Sequence, residues 1–249
     1  RAFVAIRAEK RSGYIDAEGK FVTERSIEGG GDFSAGLASF RQGSVYGYVD
    51  RDGKVAIVPR FDAAGPFREG LACVTLGGKY GYISKDGAWA IEPRFEQGFA
   101  FQDGLARVRV GTKVAYAAKD GRIAIGPLEG IGSASDFSGG RALVRVKTSW
   151  GFMDASGRMA VQPRYAGAYG FSEGLAPVQN AGEWAYIDKD SRPAIRLQCD
   201  WAMAFSEGFA PILRGGKMGF IDRTGKTVIP VRFLMVSEFS EGLARVELE

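Results

Sequence analysis

The sequence contains no histidine. That absence removes the imidazole general base, the Ser-His and Cys-His nucleophile pairs and every His-ligated metal site. Cysteine is almost as scarce. Cys73 and Cys199 are the only two, too few for a disulfide framework or a thiolate zinc site. No apolar run approaches the roughly 18 residues that would cross a bilayer, so no membrane span is expected. An excess of one charge is lacking too: 33 Lys+Arg face 29 Asp+Glu, a net +4 spread along 249 residues. Such a balance serves solubility. Neither Gly-x-Ser-x-Gly nor Gly-x-x-x-x-Gly-Lys-Ser/Thr occurs. These absences lead us to expect a protein that is not an enzyme and needs no cofactor or metal. A glycan-cleaving enzyme built on paired carboxylates is the catalytic class that survives the lack of histidine.

What the chain has in excess is glycine, 36 residues against a usual ~7%, and the glycines recur. A Phe-x-x-Gly-x-Ala motif starts at Phe33, Phe67, Phe101, Phe137, Phe171, Phe205 and Phe239, in steps of 34 residues with a single step of 36. A second column reads aromatic-Gly-aromatic-aliphatic-Asp, as in Tyr46-Gly47-Tyr48-Val49-Asp50 and Trp150-Gly151-Phe152-Met153-Asp154. A third is a turn such as Asp52-Gly53-Lys54, and a fourth is Pro-Arg-aromatic at Pro59, Pro93 and Pro163. Self-similarity at a fixed period of this length marks a repeat array.

These columns resemble the bacterial WG-repeat family, whose name describes Trp150-Gly151. The resemblance spans essentially residues 1–249 as a single array. It departs from the pattern at Ser12-Gly13, Val114-Ala115 and Met218-Gly219. It implies a non-catalytic repeat scaffold, often exported to the periplasm or the cell surface.

Read from the residues, each unit is β throughout. Ala72 and Val74, Ala106 and Val108, or Ala176 and Val178 alternate at period two, which marks a strand with one buried face. Gly77-Gly78-Lys79 turns that strand into a second, because glycine accepts the positive φ of tight hairpins. Asp-Gly turns the second into a third, which the proline is expected to end. The expectation is therefore an all-β tandem array of seven three-stranded antiparallel meanders, each followed by an irregular arm of about ten residues, since a lone meander of that size needs stacked neighbours to bury a core. An open superhelical array is preferred because the end strands Arg1–Ile6 and Leu243–Leu248 make an eighth copy; a closed seven-bladed propeller-like ring is the alternative.

Comparison between repeats suggests a structural ion pair. Arg60, Arg94, Arg164 and Arg232 are matched by Glu69, Asp103, Glu173 and Glu241 in their own units. Where the arginine column holds Ser26 or Leu128, the acid is also missing; Gln198 alone keeps its acid, Glu207, without the base. This pattern predicts an Arg–carboxylate clamp holding each arm to its unit. The acid column after strand two, Asp50, Asp154, Asp188 and Asp222, reads as turn chemistry.

Binding residues should lie where repeats differ. Phe99, Tyr169, Trp201 and Met203 are large side chains at arm positions where other repeats carry small ones, and aromatic anchors on a variable surface suit a protein partner or a glycan. Trp89 falls in a column of aliphatic residues and is expected in the core. The fourth repeat is irregular, and beside it Arg107, Arg109, Arg141, Arg145 and Lys147 form the densest basic cluster. Arg109 and Arg145 share a column there and make a candidate anion site. No aromatic residues interleave with them as in a nucleic-acid stacking platform, so nucleic acid is not expected. The function so read is a scaffold that binds a protein partner through variable arms and solvated strand faces, with a carbohydrate- or envelope-binding module as the alternative.

Overall fold

The computed structural model of the chain describes residues 2–6, 11–23 and 27–248. Ser26 lies outside them. The chain divides into two compact units, Arg1–Leu128 and Glu129–Glu249, and no helix occurs among the described residues.

In the first unit β1 (Ala2–Ile6) and β2 (Arg11–Ile15) form a two-stranded sheet. Three four-stranded sheets follow. They are β3 (Gly29–Gly30), β4 (Leu37–Gln42), β5 (Val45–Asp50) and β6 (Val55–Phe61); then β7 (Ala63–Arg68), β8 (Leu71–Leu76), β9 (Lys79–Ile83) and β10 (Trp89–Phe95). The third comprises β11 (Gln97–Gln102), β12 (Leu105–Val110), β13 (Lys113–Ala117) and β14 (Ile123–Ile125).

The second unit also has three four-stranded sheets. The first is β15 (Ile131–Ser138), β16 (Arg141–Val146), β17 (Ser149–Asp154) and β18 (Met159–Tyr165). Next come β19 (Gly167–Ala168), β20 (Leu175–Asn180), β21 (Glu183–Asp188) and β22 (Pro193–Arg196), then β23 (Trp201–Ala202), β24 (Phe209–Arg214), β25 (Lys217–Asp222) and β26 (Thr227–Phe233). β27 (Met235–Val236) and β28 (Val246–Glu247) form a two-stranded sheet. Every sheet is an antiparallel meander in chain order.

The repeat thus has four strands, and the expectation of three with an irregular arm is corrected. The arm carries the extra strand: in β7 Ala63 pairs with Thr75 and Phe67 with Ala72, with a register shift between Ala64 and Phe67, whereas in β3, β19 and β23 only two residues pair and the rest of the arm is irregular. The shift breaks the alternation of side chains, so the arm carries no period-two signature although its backbone is paired. Four antiparallel strands per repeat is the composition of a propeller blade.

A second correction concerns the proline. Strand β6 continues through Pro59 to Phe61, and β10 through Pro93 to Phe95. The ladder accommodates the missing N–H by a bulge, in which Tyr48 faces Ile57 and Tyr46 faces Phe61. The bulged backbone lies on the glycine of the aromatic-Gly-aromatic column. A Cβ on Gly81 would sit 2.7 Å from the Ile91 oxygen and 2.8 Å from the Pro93 nitrogen. Alanine replaces this glycine at Ala115 and Ala185, and over Ala185 strand β22 runs without that bulge: Ala185 pairs with Arg196 and Tyr186 with Ile195.

The core lies between neighbouring sheets of each unit. Leu37, Tyr48, Ile57 and Phe61 of one sheet pack on Phe67, Ala72, Val74 and Ile83 of the next. In the second unit Phe152, Val161 and Tyr165 meet Phe171, Ala176 and Val178 in the same way. Phe67, Phe101, Phe171 and Phe205 therefore fill the gap between their own sheet and the preceding one of the same unit. Tyr48 meets Phe67 edge-on at 5.0 Å, Tyr82 meets Phe101 at 5.0 Å, and Phe152 meets Phe171 at 4.8 Å. Burying such a ring contributes about 1.5–3 kcal/mol. Trp89 is half-buried and stands edge-on to Phe61 of the preceding sheet at 5.7 Å.

Polar contacts staple the same junctions. The Tyr48 hydroxyl donates to the Gly65 carbonyl (2.7 Å), Tyr82 to Phe99 (2.8 Å) and Tyr186 to Met203 (2.6 Å), each across to the arm of the next sheet. Burial pushes the Tyr48 and Tyr186 hydroxyls far above the ordinary phenol range, so they stay protonated donors. Ser34, Ser138, Ser172 and Ser206 donate to the motif phenylalanine carbonyl of the following repeat at 2.5–2.7 Å.

The Arg–carboxylate clamp gives way at Arg60/Glu69 and Arg164/Glu173, where the two members turn to different partners. Arg60 donates to the Gly87 carbonyl (2.6 Å) and Arg164 to the Ser191 hydroxyl (2.8 Å), each in the next repeat's turn. Arg94 makes the equivalent bond to Gly121. Arg232 lies over the Phe233 ring at 5.3 Å. The acids lie in the left-handed region before the motif glycine, Glu69 at φ 49°, Asp103 at φ 52°, Glu173 at φ 51° and Glu241 at φ 53°. The Glu69 carboxylate accepts from Gly104 N (3.1 Å) and meets Lys119 Nζ (3.1 Å), while Glu173 accepts from Gly208 N (3.1 Å) and meets Arg223 (3.2 Å). At Arg60/Glu69 and Arg164/Glu173 both side chains reach into the neighbouring repeat, so the two columns can vary together without touching each other.

Candidate functional site

The regular contacts above leave the outward positions of the arm strands as the places where repeats differ. In the second unit two of the four aromatic and sulfur side chains singled out from the sequence come together. Trp201 Nε1 donates to the Tyr169 hydroxyl at 2.9 Å, with the rings edge-on at 6.0 Å. The Tyr169 ring also stacks on Trp184, with centroids 6.0 Å apart and planes inclined by 21°. Trp184 is 5% exposed and donates to the Asp200 carbonyl (3.1 Å), so it forms a fixed floor. Tyr169 is 38% exposed. The result is a tyrosine held by two tryptophans and offered to solvent. Trp184 was not among the candidates because it stands in the Trp-Gly column, where an aromatic belongs to the repeat pattern itself.

Met203 is half-buried and packs with Met218, Phe220 and Phe233, so it fills a gap instead of extending the aromatic pair. Phe99 lies in the first unit at the arm position that Met203 holds in the second. The Arg107 guanidinium covers its ring at 3.6 Å from the centroid. Arg109 is exposed on β12, paired through its backbone with Gln97 and Val114. Arg145 is exposed on β16, with its guanidinium 5.7 Å from the Trp150 ring.

The turn acids are occupied by the backbone. Asp50 accepts from Asp52 N and Lys54 N, and Asp188 from Asp190 N and Arg192 N, at 2.8–3.0 Å. At Asp154 and Asp222 the Ser156 and Thr224 hydroxyls donate as well, holding these carboxyls below the ordinary range. Among the described residues no group of three or more His, Cys, Asp or Glu side chains is placed to hold a metal ion.

The sequence model of the WG-containing repeat matches residues 13–45, 46–80, 80–113, 150–184, 184–217 and 218–249. The chain belongs to the WG-containing repeat family. The stretch between 113 and 150, which the family matches pass over, carries the irregular fourth repeat. No curated protein matches the sequence significantly. Among solved structures, Hsv2 of Kluyveromyces marxianus aligns with a TM-score of 0.51 at 7% identity, over 88% of this chain and 81% of that one. Hsv2p of Kluyveromyces lactis aligns with a TM-score of 0.49 at 8% identity, over 79% and 75%. PorZ, a surface component of the type-IX secretion system of Porphyromonas gingivalis, aligns with a TM-score of 0.42 at 11% identity, over 90% of this chain and 38% of its own. At 7% identity the Hsv2 likeness concerns fold alone, and that fold is propeller-like. No helix among the described residues is long and apolar enough to cross a membrane.

Proposed function

We propose that the protein is a non-catalytic β-repeat scaffold that binds a protein partner through its arm strands. The observation that carries this reading is the Tyr169–Trp201 pair. It interrupts a regular frame at positions where other repeats hold Gly65 and Ala63, and it is oriented before any ligand arrives. Fixed aromatic rings lose little conformational freedom on binding and are the usual anchors of protein interfaces. The engagement of the repeated acids in turn hydrogen bonds supports a structural role for them rather than acid–base chemistry.

The test is selection of random displayed peptides on the wild-type chain, with a glycan array beside it. Selected peptides are expected to bind the Tyr169→Ser/Trp201→Gln double variant at least about tenfold more weakly, a loss of ~1.4 kcal/mol. Peptides indifferent to the double variant refute the anchor. Glycans that bind at these rings while no peptide does replace the protein partner with a carbohydrate.

A further inference from the structure

Between β7 and β11 of the first unit lies a cavity of about 310 Å³ whose walls include Gly65, Cys73, Tyr80, Gly98 and Phe99. The internal repeat says what shape of group belongs there. Ala63 pairs with Thr75 as Gly167 pairs with Gln179, and Gln97 pairs with Arg109 as Trp201 pairs with Leu213. Gly65 therefore stands where Tyr169 stands in the second unit, Tyr80 where Trp184 stands, Gln97 where Trp201 stands and Phe99 where Met203 stands. In the second unit the Tyr169 ring lies on Trp184 and accepts a hydrogen bond from Trp201. In the first, the floor is an aromatic ring, the donor position carries a side-chain amide, and the ring between them is missing because residue 65 has no side chain.

We infer that this cavity is a socket for a tyrosine side chain supplied by a protein partner, taking the place that Tyr169 fills within the chain itself. This rests on the reading of the protein as a scaffold for protein partners. The Tyr80 ring supplies the stacking surface, and Gln97, next to the lining residue Gly98 and at the register position of Trp201, is the residue whose amide would donate to the incoming hydroxyl. Phe99 forms the side wall and is held there by Arg107 at 3.6 Å. Offset stacking on a fixed ring and one directed hydrogen bond favour tyrosine over an aliphatic residue.

The probe is N-acetyl-tyrosinamide, titrated into the isotope-labelled full chain while the amide resonances of Gly65, Gly98 and Ala100 are followed. Saturable shifts confined to this region are expected, with a dissociation constant of roughly 1 mM, and N-acetyl-leucinamide should bind at least about fivefold more weakly. Gly65→Tyr, which supplies the ring from the chain, should abolish the shifts, while Gly65→Ala keeps them. Tyr80→Leu removes the floor and should weaken binding at least about fivefold, which decides the matter if Gly65→Tyr does not fold. Absence of shifts, shifts that survive in Tyr80→Leu, or equal binding of leucinamide overturns the socket. So does a methyl glucoside that binds here in place of tyrosinamide. Failure at Gly65 with peptide capture at Tyr169 intact removes the socket and leaves the scaffold reading. Binding at Gly65 with no peptide captured at Tyr169 removes the Tyr169 anchor and keeps the socket.

Discussion

Replacing Gly151 by alanine tests why glycine follows the aromatic residue in this repeat. The added Cβ would stand 2.5 Å from the Val161 oxygen, 2.7 Å from the Pro163 nitrogen and 2.9 Å from the Pro163 Cα. All three are backbone atoms of the bulged strand β18, so no rotamer change relieves the contact. The strand must retreat, which loosens the packing of Tyr165 and Val161 on the neighbouring sheet. Overpacking of this kind costs about 1–3 kcal/mol, and the entropy that alanine removes from the unfolded chain returns only about 0.4–1 kcal/mol. A net loss of about 1–2 kcal/mol is expected. With roughly 2–4 °C per kcal/mol for a chain of this size, the thermal midpoint should fall by about 2–8 °C, read by circular dichroism and checked in urea. Ala185→Gly is the matching control. Because β22 has no such bulge over residue 185, glycine there should destabilise by about 0.5–1 kcal/mol. A Gly151→Ala protein as stable as wild type, or an Ala185→Gly protein more stable than wild type, refutes the reasoning.

Other expectations follow from the same contacts. Tyr186→Phe leaves the Met203 carbonyl without its donor at a fully buried ring and should cost about 1–2 kcal/mol in urea unfolding; an unchanged midpoint would show the hydroxyl to be idle. Since Arg60 and Glu69 hold different partners, their alanine losses should add within about 0.5 kcal/mol in a double-mutant cycle, and a coupling above about 1 kcal/mol would restore the clamp. Burial pushes the Cys73 thiol from 9.0 up to about 12, against the smaller opposing effect of its hydrogen bond with Tyr82. Its raised folded pKa contributes stability that is full below pH 9 and is lost as pH rises toward 12. The urea midpoint should therefore fall above pH 9, and less steeply in Cys73→Ala; parallel pH profiles would contradict the assignment.

The period, the Phe-x-x-Gly-x-Ala anchors, the alternation of Ala72 and Val74 and the Gly77-Gly78 hairpin turn are local facts, and each was legible because backbone sterics and side-chain alternation act within a few residues. The same holds for the turn acids, where Asp50 bonds to N–H groups two and four residues on. The fourth strand was not legible. Its pairing passes through backbone atoms and a bulge, which leave Ala63–Arg68 without alternation. The column pairs Arg60/Glu69 and Arg164/Glu173 were visible as a correlation, yet their meaning depended on where each side chain ends. Sequence comparison marks that two residues vary together and is silent on whether they touch each other or a common neighbour. Tertiary structure alone decided that both reach into the next repeat, that Trp201 and Tyr169 bond to each other beside Trp184, and that Gly65 and Tyr80 line one cavity. The physical reason is the same throughout: what a residue's neighbours in the chain permit is written locally, and what it packs against is settled only when the sheets come together.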